Sequence, residues 1–234
     1  MFDLIKAVIF DLDHTLFDRY ATLRAIVKPL RELLPVDPAL SDGEVGDIMV
    51  NADKTQIYHG WDKVREHIVN ETKLFTKIID GHDYSNAVFK CFEDVAVPFS
   101  FTLPMLEELK KEGYILGLIT NGLPGLQEKK LQMLGLDGIF DRVLVTGQYN
   151  CPKPSLKPFQ MMAEWLNLAP HEMMYVGDNP VNDIEPSRAA GYVPVYVNTV
   201  GAWARPDIEE CELQVETVAE IPKVVRRYNE THRT

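Results

Sequence analysis

Two aspartates stand two positions apart in the run Asp11-Leu-Asp13-His-Thr15. In extended backbone, residues i and i+2 face the same way, so both carboxylates can reach one space. Three further segments carry groups of related chemistry: Thr120-Asn-Gly, an isolated Lys153 in Cys151-Pro-Lys-Pro-Ser155, and Gly177-Asp178 with Asp183 five positions on. Each has a plain structural alternative. Asp-x-Asp fits a solvated turn, and Thr120 fits a helix cap. Lys153 fits a surface lysine held by prolines, Gly177-Asp178 a turn, and Asp183 the cap of a helix through Arg188.

If these residues converge, electrostatics limits what they can bind. Two carboxylates about 4 Å apart repel by roughly 4 kcal/mol at an effective dielectric near 20. A site holding Asp11, Asp13, Asp178 and Asp183 therefore needs a cation. Its ligands are hard oxygens with no His or Cys cluster, so Mg²⁺ suits it better than zinc. Lys153 and Thr120 then face an anion, and a divalent metal beside a lysine opposes a phosphate dianion. That set describes phosphoryl transfer.

Apolar runs at residues 6–10, 114–119, 142–145, 173–176 and 193–197 must position these groups. Their unbroken hydrophobicity predicts strands covered on both faces. Helices are expected over 103–112, with Pro104 near the start and Gly113 past the end, over 126–134 before Gly135, and over 159–168. In the last of these, Phe159, Met162, Ala163 and Leu166 share one face. The alternation predicts an α/β fold, a parallel sheet wound with helices, with a mixed α+β domain as the alternative. Asp11, Thr120, Lys153 and Asp178 all follow predicted strands, where open α/β sheets bind ligands.

Residues 18–97 break this rhythm with helical patterns and no strand. Over 20–34, Leu23, Ile26, Val27 and Leu30 line one face, with a kink expected at Pro29. Trp61, Val64, Ile68 and Phe75 repeat the pattern over 61–75, and Val88, Cys91, Phe92 and Val95 over 85–97. About eighty residues far exceed what a crossover needs, so an inserted helical subdomain is expected. The domains are thus 1–17 with 98–234 as an α/β core, and 18–97 as the insert.

Composition bounds the partners. Of 234 residues, 46% are hydrophobic and 25% charged, which is ordinary for a globular protein and too apolar for a disordered one. Twenty-four basic against 35 acidic residues give a net charge of −11, which counts against a reader of the nucleic-acid backbone. The three cysteines, Cys91, Cys151 and Cys211, show no Cys-x-x-Cys spacing and suit a reducing compartment. No apolar run is as long as a membrane span. The first ten residues, with Asp3 and Lys6 among them, do not read as a signal peptide. A soluble, cytoplasmic protein is the expectation.

The order of the motifs resembles the haloacid dehalogenase-like (HAD) hydrolase superfamily, in its phosphatase branch. Asp11, Asp13 and Thr15 match its Asp-x-Asp-x-Thr signature, and Leu118-Ile-Thr120 its apolar strand ending in Thr. Lys153 matches its isolated lysine, and Gly177, Asp178 and Asp183 its closing acidic motif. The resemblance implies a Rossmann-like, doubly wound core, with a type-1 helical cap where residues 18–97 fall. It further implies that Asp11 attacks phosphorus to form an aspartyl-phosphate, while Asp13 serves as general acid and then base. Mg²⁺ would be held by an Asp11 oxygen, the Asp13 main-chain carbonyl and Asp178, with Asp183 completing or orienting the shell. Thr120 and Lys153 would hold the phosphoryl oxygens, and main-chain N–H groups near Leu12 and Asn121 would add donors. His14 falls at a variable position and is given no role beyond the loop.

The implied activity is a Mg²⁺-dependent phosphatase acting on a small phosphorylated metabolite, with neither a nucleic-acid polymer nor a membrane as partner. A sugar-phosphate mutase shares every core residue. The 2-haloacid dehalogenases of the family lack the second aspartate, because halide leaves unprotonated, and Asp13 disfavours them. A receiver-like phospho-accepting module carries no such insert after its first strand. The cap is expected to close over the leaving group. Tyr20, Arg24, Lys54, Tyr58, His59 and Trp61 are its candidate lining residues, with cap core or solvated surface as their alternative. Nucleotide, sugar-phosphate and glycolate-type substrates stay open, as do monomer and dimer.

Overall fold

The apolar run Ala7–Phe10 forms strand β1, with all four side chains fully buried. A computed structural model describes residues 4–56, 60–95, 97–199, 203 and 205–233. Among these, five further strands follow: β2 (Ile115–Thr120), β3 (Arg142–Val145), β4 (Met173–Gly177), β5 (Val193–Val197) and β6 (Gln214–Val215). They form one parallel sheet in the order β3-β2-β1-β4-β5-β6. The fold is α/β, as the alternating pattern implies. β6 escapes sequence reading because two residues carry no periodicity.

The helices are α1 (Arg19–Ala25), α2 (Val27–Leu33), α3 (Asp42–Gln56), α4 (Trp61–Glu71), α5 (Gly81–Val95), α6 (Thr102–Lys111), α7 (Pro124–Met133), α8 (Lys157–Leu166), α9 (Glu185–Ala189) and α10 (Ile221–Thr231). No described helix is long and apolar enough to cross a membrane. The chain divides into two compact units, Met1–Phe17 with Pro98–Thr234, and Asp18–Val97.

In the first unit α8 lays Phe159, Met162 and Ala163 against Ile9, Ile119, Leu144 and Tyr175 of the sheet. This is the helix face read from its spacing. The chain leaves β1, forms β2 and β3 on one side, and crosses back to β4 on the other. The strand order therefore reverses beside β1, and such a switch opens a crevice at the carboxyl ends of the strands. α10 is tied to the start of β1 by Asn229: the Ile5 N–H donates to Asn229 Oδ1 at 2.7 Å, and Asn229 Nδ2 donates to the Ile5 carbonyl at 3.1 Å.

In the second unit, helices α1 to α5 are the regular elements among the described residues, with one bridge between Val36 and Phe75. Its two chain ends meet: Asp18 N–H donates to the Val97 carbonyl at 2.9 Å, and Val97 N–H to the Thr22 hydroxyl at 2.9 Å. Asp18 also caps α1 by accepting from Ala21 N–H at 2.7 Å. The expected kink at Pro29 falls instead at Ile26, between α1 and α2. Proline has no N–H to offer the carbonyl four residues back, so the break lies upstream and Pro29 sits in the first turn of α2, where a missing donor costs little. α4 stops at Glu71, short of the expected end, because Phe75 is drawn into the bridge with Val36.

Asn229→Leu removes both partners of the buried Ile5 backbone. Leaving those groups unsatisfied is expected to lower stability by about 2–3 kcal/mol. Urea unfolding at unchanged m-value checks this, as a lower midpoint.

Candidate active site

Strand register brings the distant motifs to one end of the sheet. Phe10 pairs with Leu118 on β2 and with Val176 on β4. Asp11 thus emerges from the middle strand just where Thr120 and Asp178 end the strands on either side. Asp11 N–H still donates to the Val176 carbonyl, at 2.9 Å, so its backbone is held by the sheet while its side chain leaves it.

Lys153 is the centre of the cluster. Its ammonium, in a side chain only 2% exposed, donates to Asp11 Oδ1 and Asp183 Oδ1 at 2.6 Å each, and to the Tyr175 hydroxyl at 3.0 Å. Burial alone would strip its proton, but Asp11 and Asp183 overcome that and hold its pKa well above the ordinary lysine value. The carboxylates fare differently, because burial outweighs the help that one ammonium can give them. Burial raises Asp11 to about 7, against the pull of Lys153 and with further help from Asp183. Asp178 is pushed well above the usual carboxylate range by burial, then by Asp183 and Asp11.

Asp183 sits in a short turn at Pro180–Ile184, capped by the Asn179 side chain, so it is not itself the cap of a helix. Both of its oxygens are taken: Oδ1 accepts from Lys153 and from the Tyr175 hydroxyl at 3.2 Å, and Oδ2 from Asn179 N–H at 3.1 Å. Gly177 makes this possible, since a Cβ there would come within 2.6 Å of the Asp183 side chain. Asp178 Oδ1 receives a long contact from the Thr15 hydroxyl, at 3.5 Å. Asp178 Oδ2 is buried with no hydrogen-bond partner among the described residues. Such an atom is costly unless something positive binds it. Oxygens of Asp11, Asp178 and Asp183 lie within 4.8 Å of one another. An all-oxygen set with an excess of negative charge fits a hard dication such as Mg²⁺.

Asp13 is held separately. Lys130 Nζ donates to both of its oxygens, at 2.8 and 3.0 Å, and Gln127 Nε2 to Oδ2 at 3.2 Å. The same Gln127 amide lies 2.5 Å from the Thr120 hydroxyl. Asn121 spends its side chain on structure: Oδ1 accepts from Lys153 N–H at 2.9 Å and the Thr146 hydroxyl at 2.9 Å, and Nδ2 donates to the Lys153 carbonyl at 3.0 Å. It locks the lysine loop to β2, so what Asn121 can offer a ligand is its main chain. His14 is a buried loop residue with a positive φ of 66°. Lys157 opens α8 on the surface.

Gln127, Lys130 and Tyr175 were not anticipated from sequence. Tyr175 reads as one more apolar strand residue, although its hydroxyl bridges Lys153 and Asp183. For the other two a signal exists: Gln127, Lys130, Leu131 and Leu134 fall at i, i+3, i+4 and i+7, and all four are buried. Two polar residues on the inward stripe of a helix that follows Thr120 mark a polar target beneath it.

Of the insert residues, Trp61 is stacked on Tyr84 at 6.0 Å between ring centroids, with its indole N–H donating to Ser85 at 3.0 Å. Arg24 pairs with Asp47 at 2.6 Å, and Lys54 lies over the Tyr20 ring at 5.0 Å. Tyr58 and His59 lie outside the described residues.

Comparison with known proteins agrees with this geometry. Residues 8–197 match the family model of haloacid dehalogenase-like hydrolases. A glyceraldehyde 3-phosphate phosphatase of Pyrococcus furiosus is 29% identical over 226 residues, covering 94% of this chain and 92% of that protein. A phosphoglycolate phosphatase of Aquifex aeolicus is 30% identical over 192 residues, covering 80% and 82%. In fold, the chain is similar to the magnesium-bound HAD-hydrolase YfnB of Bacillus subtilis, with a TM-score of 0.79, 17% identity and coverage of 95% and 99%.

The raised carboxyls make stability depend on pH and metal. A carboxyl whose pKa is higher in the folded state loses stability as pH climbs from its unfolded value through its folded one. For Asp11 that window runs from about 4 to about 7. A cation that binds the ionised oxygens offsets the loss, by about 2.7 kcal/mol at ~100-fold excess over its Kd. Thermal melts should therefore show a larger Mg²⁺-induced rise in Tm at pH 8 than at pH 5. Asp178→Asn should melt above the wild type at pH 8 without metal, and lose most of the Mg²⁺ response. An equal rise at both pH values would contradict the charge imbalance.

Proposed function

The chain belongs to the haloacid dehalogenase-like hydrolases, and from that we propose that it is a Mg²⁺-dependent phosphatase of small phosphomonoesters, working through an aspartyl-phosphate on Asp11. The observation that carries the reading is the cluster at the end of β1. A carboxylate nucleophile, a buried ammonium 2.6 Å away and an unpartnered Asp178 oxygen lie together, with a second carboxylate, Asp13, two residues on. A dehalogenase needs no group to protonate its leaving halide. A phosphatase does, and Asp13 is available for it.

In the first step an Asp11 oxygen attacks phosphorus, the bond to the ester oxygen breaks, and Asp13 gives that oxygen its proton. In the second step Asp13 takes a proton from water, the water oxygen attacks the phosphorus of the acyl phosphate, and inorganic phosphate leaves with Asp11 regenerated. Lys153 and the Thr120 hydroxyl neutralise and orient the phosphoryl oxygens as charge redistributes. An Asp11 oxygen, the Asp13 carbonyl and Asp178 would hold the metal, with Asp183 orienting, since both of its oxygens already accept hydrogen bonds. Bound Mg²⁺ supplies positive charge to the transferring phosphoryl group.

The two curated relatives act, by name, on glyceraldehyde 3-phosphate and phosphoglycolate, which supports a small phosphorylated metabolite as substrate. A net charge of −11 argues against nucleic-acid polymers. Three buried free cysteines support a reducing, cytoplasmic setting.

Phosphate release from a panel of phosphorylated metabolites tests the reading. Turnover should require Mg²⁺ and stop with EDTA. Asp11→Asn should fold normally yet lose about four orders of magnitude or more in kcat. Lys153→Ala should lose about 10²–10³-fold in kcat, the scale of one lost transition-state charge contact. Undiminished release by Asp11→Asn would remove Asp11 as nucleophile.

A further inference from the structure

Two buried polar side chains of α7 contact Asp13 and Thr120. Lys130 is 5% exposed and Gln127 1%, so both are withdrawn from water by the fold. Burying an ammonium and an amide costs free energy that only specific partners recover. Their partners include two groups assigned to chemistry, Asp13 and Thr120. Lys130 grips the two oxygens of Asp13, and its ammonium lies 5.4 Å from the centre of the Phe17 ring. Gln127 donates from one amide nitrogen toward Thr120 Oγ, Asp13 Oδ2 and the Asn121 carbonyl.

We propose that Lys130 and Gln127 are positioning residues, Lys130 fixing the Asp13 carboxyl toward the leaving group and Gln127 turning the Thr120 hydroxyl into a donor for the phosphoryl group. The inference rests on the phosphatase reading above. A carboxyl gripped at both oxygens has one orientation instead of a rotor's choice. When Asp13 is protonated, Lys130 still holds it at the carbonyl oxygen, and the other oxygen turns its proton toward the leaving group. A hydroxyl that accepts from Gln127 at 2.5 Å has one lone pair occupied, and its own proton meets only a long contact to the Asn121 carbonyl at 3.4 Å, which a phosphoryl oxygen can replace. The two residues therefore differ in emphasis. Lys130 serves departure of the leaving oxygen, whereas Gln127, at 2.5 Å from Thr120 and 3.2 Å from Asp13 Oδ2, serves the phosphoryl oxygens first and Asp13 second.

Leaving-group dependence separates these roles from a merely structural one. kcat/KM, measured with Mg²⁺, covers the steps up to leaving-group departure. p-Nitrophenyl phosphate, whose leaving group departs without a proton, is compared with the alkyl phosphate that the wild type turns over fastest. Lys130→Met should lower kcat/KM on the alkyl phosphate ~10- to 100-fold more than on p-nitrophenyl phosphate, within the range that general acid catalysis contributes. Lys130→Gln, which keeps one donor, should fall between wild type and Lys130→Met. Gln127→Leu should lower kcat/KM on both substrates, with a smaller change in their ratio than Lys130→Met produces. If Lys130→Met does not fold, Lys130→Gln decides the question by the same ratio. A substrate ratio unchanged from wild type in the folded Lys130 variants, or one altered as much by Gln127→Leu as by Lys130→Met, overturns the assignment while leaving the phosphatase intact. A wild type inactive on every phosphomonoester overturns both.

Discussion

One ammonium buried among three carboxylates is the constraint on which the rest of this site depends. Lys153 lies 2.6 Å from both Asp11 and Asp183, in surroundings where each charge has lost its water. Attraction to the lysine is strong there, yet it cannot neutralise three acids, so burial first and mutual repulsion second raise the proton affinity of Asp11 and Asp178. Left to itself, such a cluster costs stability. Under the proposed function, the cluster is completed from outside, by a metal for the carboxylates and a phosphate for the lysine. The neighbouring groups divide accordingly. Tyr175 and the Asn179 N–H saturate Asp183 and make it an anchor, whereas Asp178 keeps an oxygen without a hydrogen-bond partner among the described residues.

The sheet is what makes this cluster affordable to build. A parallel sheet that reverses its strand order beside β1 brings three strand ends together at one level, and the backbone holds Asp11 before any side chain acts. Small features then refine the level. Gly177 lets Asp183 lie flat against β4, and Asn121 fastens the loop carrying Lys153 to the end of β2. α7 supplies a polar floor where a helix of this kind would otherwise present leucines.

The helical insert between β1 and α6 interrupts none of this, because its entrance and exit are neighbours. Asp18 and Val97 are joined through the backbone and the Thr22 hydroxyl, so about eighty residues leave and return at nearly one point. Its described aromatic and charged residues are largely engaged with one another, Trp61 with Tyr84 and Arg19 with Asp53, which gives the unit a core of its own.

Most of the architecture was legible in the chain because buried strands and amphipathic helices announce themselves by local periodicity. The five main strands, α6 to α8 and the insert after β1 all follow from pattern. Elements without such a pattern did not: β6 is too short, and the break before α2 depends on which turn receives Pro29. The acidic pair, the threonine, the lysine and the closing acidic motif could be named from type and spacing alone, since each follows a strand. What local sequence could not supply was which neighbour each side chain would meet. That Asp183 is saturated while Asp178 is not, that Asn121 serves the lysine loop, and that Lys130 and Gln127 reach Asp13 and Thr120 are facts of three-dimensional proximity. They were settled by strand register and helix docking, because hydrogen bonds and Coulomb forces act across a few ångströms of space and take no account of distance along the chain.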